Sequence, residues 1–97
     1  MIHHEPFDRF AESLRPDGAK SQVLLELEGE GEKLADAIGI LKTAGAREIE
    51  HRIVKTERPR WILLRFSTDD MLEAVLRLTE GGFTKMKAID AAKHEIN

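Results

Sequence analysis

The chain has 97 residues with 15 basic and 18 acidic side chains, a formal net charge of −3 at pH 7, and no cysteine. A chain this short holds a single core, burying roughly 60–65% of the surface that it exposes when unfolded. The charge balance argues against a general nucleic-acid binder, which needs a basic field. The lack of cysteine excludes disulfides, thiolate nucleophiles and thiolate zinc sites. The first residues, Met1-Ile-His-His-Glu-Pro, show neither the basic start nor the apolar core of a signal peptide, and no apolar run approaches the ~20 residues of a membrane span. A cytoplasmic protein without membrane contact is expected.

Residues 1–20 read as an N-terminal arm. Pro6 suits a first helical turn, Phe7, Phe10 and Leu14 follow at spacings of three and four, and Arg15-Pro16-Asp17-Gly18 is a turn signal. Two phenylalanines, worth roughly 2 kcal/mol each on burial, predict that the arm docks on the body or on a partner. From Ser21 the period becomes two: Val23, Leu25 and Leu27 alternate with Leu24, Glu26 and Glu28, a strand ended by Gly29 and Gly31. A helix over about 32–44 follows, with Leu34, Ala37, Ile38 and Leu41 as its stripe and Gly45 as its stop. Gly39 inside it suggests close packing of helix on sheet.

The next strand, Arg47 to about Lys55, puts Ile49, His51 and Ile53 on one side and Glu48, Glu50, Arg52 and Val54 on the other. His51 on the apolar side reads as a hydrogen-bonded, partly buried residue rather than a catalyst. Thr56-Glu57-Arg58-Pro59 forms a hairpin connection into a strand over Arg60 to Ser67. That strand buries Ile62, Leu64 and Phe66 and presents Trp61, Leu63 and Arg65 opposite. Ser67 and Thr68 are ready helix caps, Asp69 and Asp70 suit the positive helix end, and Leu72, Val75, Leu76 and Thr79 line one face before Gly81-Gly82. The last strand, Phe83 to about Ala91, has conflicting parity: Phe83 and Ile89 fall on one set, Met86 and Ala88 on the other. A bulge or an early strand end would resolve it.

Two strand–helix–strand halves, 21–58 and 60–93, give an α+β chain. They predict a ferredoxin-like βαββαβ sandwich over 21–93 with a tail at 94–97. Two helices cover one face of a four-stranded antiparallel sheet, with the first and third strands central and the second and fourth at the edges.

Two segments carry a family resemblance. Leu25-Glu-Leu-Glu-Gly-Glu-Gly-Glu-Lys-Leu34 resembles the first strand, glycine-bearing loop and helix start of ACT-type regulatory domains, and Leu76-Arg-Leu-Thr-Glu-Gly-Gly-Phe83 resembles the end of their second helix. Glu30 stands where the proline common in that loop would be. The resemblance implies a non-enzymatic regulatory domain. It would be a homodimer binding a small effector such as an amino acid at the seam between copies, here at Gly29, Glu30, Gly31 and Glu32. Glycines admit close approach and helix-start amides favour a carboxylate, whereas Glu28, Glu30 and Glu32 favour an ammonium group or a metal ion. A tight turn needing two glycines is the plainer alternative.

The uncovered sheet face assembles an apolar patch from Leu24, Val54, Trp61 and Leu63. Such a patch usually marks an interface, so self-association, cover by the Phe7/Phe10 arm, use as a protein-interaction module and simple exposure are the alternatives. Glu26 and Glu28 are expected to face Lys85, Lys87 or Arg65 across strands. The basic hairpin (Arg47, Arg52, Lys55, Arg58, Arg60, Arg65) with one aromatic lacks an RNA-binding motif. His3, His4 and Glu5 with His94 have no spacing that preorganises a metal. Ser13, Ser21 and Ser67 have no histidine at a telling distance. No enzyme and no cofactor are expected.

Overall fold

The computed structural model describes residues 6–16, 19–27 and 33–91. Its elements in chain order are α1 (Pro6–Ser13), β1 (Ser21–Leu27), α2 (Lys33–Thr43), β2 (Arg47–Lys55), β3 (Arg60–Ser67), α3 (Met71–Glu80) and β4 (Met86–Ile89). The architecture is α+β. One four-stranded, wholly antiparallel sheet has the order β2-β3-β1-β4. The first and third strands are central and the second and fourth are the edges, as expected from the crossovers.

Strand alternation sorts the sheet into two apolar faces. Val23, Leu25 and Leu27 of β1 and Ile62, Leu64 and Phe66 of β3 pack against Ala37 and Leu41 of α2 and Ala74 and Leu78 of α3. Leu24, Trp61 and Leu63 point the other way and pack against Phe7 and Ala11 of α1, with Phe10, Leu14 and Val54 around them. Burial of both faces explains the near-continuous apolar run of the two central strands.

Helix α1 is eight residues long, below the ~12–15 residues at which isolated helices become even marginal in water. Packing of its apolar stripe on the sheet therefore holds it. Its first turn lies over Trp61, and past its end the Arg15 carbonyl accepts a hydrogen bond from Gln22 Nε2 at 2.8 Å. The helix thus runs back along its own β1.

Several details differ from the expectations. In α3 the buried stripe is Ala74 and Leu78, while Leu72 and Leu76 are 68% and 48% exposed. Two overlapping apolar stripes are present there, and periodicity alone does not choose between them. The cap is Asp70, not Ser67 or Thr68: its carboxylate accepts from Glu73 N at 3.0 Å, and Thr68 Oγ1 accepts from Asp70 N at 3.2 Å. Gly39 packs against nothing; it is exposed, with open space where a Cβ would stand. Gly45 does stop α2, with φ +98° and the next amide, Ala46 N, bonded back to Leu41 O at 2.9 Å.

The last strand spans only Met86–Ile89, and Phe83 reaches the core from the turn before it. The parity conflict disappears because Phe83 lies outside the strand. In β2, register shifts between Arg47 and Glu50 and between Ile53 and Lys55 break the ladder, with Glu48 at φ +54° in the first. His51 is exposed rather than partly buried, and Ile53 is 49% exposed, because the helical layer leaves this part of the edge strand uncovered. Bulges on an edge strand discourage pairing with another chain.

Candidate functional site

The carboxylate of Glu26 is the centre of a polar cluster on the sheet face that α1 covers. Glu26 stands opposite Trp61 in the β1–β3 register, and its backbone N–H donates to Lys85 O at 3.1 Å, which extends the β1–β4 pairing by one residue. Trp61, Glu26 and Lys85 therefore form a row across three strands on the face that α1 covers. The row follows from the period-two geometry of the strands.

The Glu26 side chain is only 10% exposed, and a carboxylate removed from water needs donors. Trp61 Nε1 donates to its Oε1 at 3.0 Å, and Lys85 Nζ lies 3.8 Å from its Oε2. Phe7 meets Trp61 edge-on, with ring centroids 5.7 Å apart and planes at 84°. Lys85 Nζ is 5.4 Å from the Phe7 ring centre, and Lys55 Nζ is 5.1 Å from that of Trp61. Each cation–ring contact is worth about 0.5–1 kcal/mol at an exposed site and ~2 when desolvated. Lys55 Nζ also donates to Pro59 O at 2.8 Å, which ties the β2–β3 connection to the cluster.

Glu26 and Lys85 form the wall between two cavities. One, about 270 Å³, lies at the end of β1: Leu27 and Phe83 give it apolar surface, Lys33 at the start of α2 and Lys85 give it positive charge, and Glu26, Gly82 and Thr84 complete it. Lys33 Nζ is 5.8 Å from the Phe83 ring centre. The other, about 280 Å³, lies at the start of α1 between Phe7, Trp61, Lys55, Pro59, Glu26 and Lys85. A larger groove of about 680 Å³ runs between α2 and α3 past Gly39 and Ile40. Asp36, Arg77 and Glu80 also line it, and Arg77 is bonded to Glu73 at 2.7 Å.

The end of the sheet beside the first cavity holds a further cation. Arg60 stands opposite Leu27, and its Nη2 is buried without a hydrogen-bond partner among the described residues. An unsatisfied buried donor costs about 1–3 kcal/mol, more when charged. Among the described residues, this end thus gathers the cations Lys33, Arg60 and Lys85 around the carboxylate of Glu26.

Comparison of the chain with protein-family models and with curated proteins finds no match. The expected ligand positions Gly29, Glu30, Gly31 and Glu32, like Glu28, lie outside the described residues, as do His3, His4, Glu5 and His94. The cavity is nonetheless lined by Leu27 and Lys33, which flank that segment in the chain.

The apolar patch of Leu24, Val54, Trp61 and Leu63 exists, and α1 of the same chain covers it. Leu24, Leu63 and Trp61 are 0%, 3% and 9% exposed. These residues could meet another protein only after α1 had left. Of the expected cross-strand pairs, Glu26–Lys85 is present. Arg65 instead pairs with Glu50 at 3.1 Å, and Lys20 also reaches Glu50, at 3.2 Å.

Sequence reasoning missed Lys33, Phe83 and Thr84 as members of a site. Their signal is weak, since Lys33 and Phe83 are far apart in the chain and meet only because α2 starts where β4 approaches β1. The indole–carboxylate bond was within reach, because parity already placed Glu26 and Trp61 on one face.

Among the described residues, no helix is long and apolar enough to cross a membrane.

Proposed function

We propose that the chain is a small, non-enzymatic regulatory domain of ferredoxin-like, ACT-like type. It binds a small zwitterionic ligand such as a free amino acid in the cleft at the end of β1. The order β2-β3-β1-β4 supports the fold assignment.

One observation carries the ligand class: the cleft sets Lys33 and Lys85 against Glu26 over an apolar floor of Leu27 and Phe83. The two ammonium groups suit a carboxylate, Glu26 suits an α-ammonium, and the floor suits a short apolar side chain. This supplies the anion-binding half that Glu28, Glu30 and Glu32 cannot. At about 270 Å³ the cleft falls just below the ~300–1,000 Å³ usual for drug-sized ligands, a size that suits a small metabolite. A second copy closing the cleft follows from the ACT-like reading, which places the effector between copies.

A thermal-shift screen of the free amino acids and small carboxylic acids tests the proposal. A compound present at ~100 times its Kd stabilises by about 2.7 kcal/mol, a shift of several degrees for a domain of this size. A folded protein whose melting temperature moves with none of them would end the reading.

A further inference from the structure

We infer that the cleft and helix α1 compete for the same two side chains, so that occupation of the cleft loosens the arm. The inference rests on the ligand reading above and adds how the site would be read out. Lys85 faces the cleft, yet its ammonium also lies over the Phe7 ring at 5.4 Å and 3.8 Å from Glu26 Oε2. Glu26 faces the cleft, yet its other oxygen holds the indole N–H of Trp61 at 3.0 Å, and Trp61 is the surface on which Phe7 and Phe10 rest. A ligand carboxylate draws Lys85 from the Phe7 ring. A ligand ammonium draws Glu26 from the indole.

Both shifts weaken the first turn of α1, the part with the most aromatic contact. A helix of eight residues has little hold of its own once packing loosens. The coupling is reciprocal: whatever factor the ligand costs α1, removal of α1 returns to the ligand affinity. What appears when the arm lifts is the apolar face of Leu24, Trp61 and Leu63, a surface of interface character. The device thereby converts a small-molecule signal into release of the arm.

The full chain is suited to the test, because Trp61 is its only tryptophan and it has no tyrosine, so intrinsic emission reports the α1 seat alone. Two readouts are taken: Trp61 emission and amide hydrogen exchange over residues 7–13. Without ligand, Lys85→Met should speed α1 exchange about two- to five-fold, the equivalent of one lost cation–ring contact, whereas Lys33→Met, which lines the cleft without touching α1, should leave it unchanged. Unchanged exchange in Lys85→Met overturns the latch. Free amino acids are then added singly to the wild type. One that raises the melting temperature should also speed α1 exchange and shift Trp61 emission to the red, and should do so less in Lys85→Met, where only the Glu26 route remains. An amino acid that binds while α1 exchange stays constant or slows overturns the competition and leaves the binding reading intact. Binding by none of them defeats the binding reading and the competition together, while the Lys85→Met result still decides whether Lys85 holds the arm.

Discussion

Phe7→Ala is the most searching perturbation of the three-layer arrangement. Phe7 is 4% exposed, sits edge-on to Trp61 at 5.7 Å, and has Lys85 over its ring. Its burial is worth roughly 2 kcal/mol and the ring–ring geometry about 0.5–1.5 kcal/mol more, so the truncation removes about 3 kcal/mol, the lower end of what Phe→Ala costs in a core. Since α1 contributes to only one of the two cores, the loss should be local.

Exchange of the α1 amides should accelerate by about two orders of magnitude, at about 1.4 kcal/mol per factor of ten. Trp61 emission should move to the red as its seat fills with water. The amides of β1 and β3, whose other face stays covered by α2 and α3, should keep slow exchange. Phe10→Ala, at a half-buried position, should show the same signs more weakly. Unchanged Trp61 emission in Phe7→Ala would refute the claim that α1 is held by its aromatic contacts.

Other substitutions test separate parts of the account. Gly39→Ala, in an exposed helical position with open space for the methyl group, should stabilise by about 1 kcal/mol, read as a rise of ~4–8 °C in a calorimetric melt; a lower melting temperature would mean that Gly39 is packed after all. Asp70→Ala removes the N-cap of α3 and should cost about 1 kcal/mol in urea unfolding, with Asp70→Asn recovering most of it. Trp61→Glu sets a second carboxylate beside Glu26 and deletes the seat of α1, so trypsin should cut faster after Arg9; a wild-type cleavage rate there would contradict the docking.

Much of this architecture was legible in the residues. The alternation of Val23, Leu25 and Leu27 with Leu24, and of Ile62, Leu64 and Phe66 with Trp61 and Leu63, already separates the two cores. It also predicts that something apolar must cover Trp61, and Phe7 and Phe10 were an available cover. What stayed hidden depended on choices that local pattern leaves open. In α3, the stripe through Leu72 and Leu76 is as apolar as the one through Ala74 and Leu78, and only docking on the sheet selects the latter. Phe83 looked like part of a strand because aromatics favour strands, whereas the structure uses it as a core plug from a turn. The cleft was least legible: Lys33 and Lys85 lie 52 positions apart in the chain, and nothing in the pattern of either neighbourhood marks a charge aimed at a shared space.

Ligand binding in the cleft is tested most directly by calorimetric titration of free amino acids into wild type and Lys33→Met. At least one should bind the wild type saturably, with affinity reduced about ten- to a hundred-fold in Lys33→Met, as loss of a hydrogen bond to a charged group implies (about 1.5–3 kcal/mol). No saturable heat with any amino acid, or equal affinity in the two proteins, would contradict it.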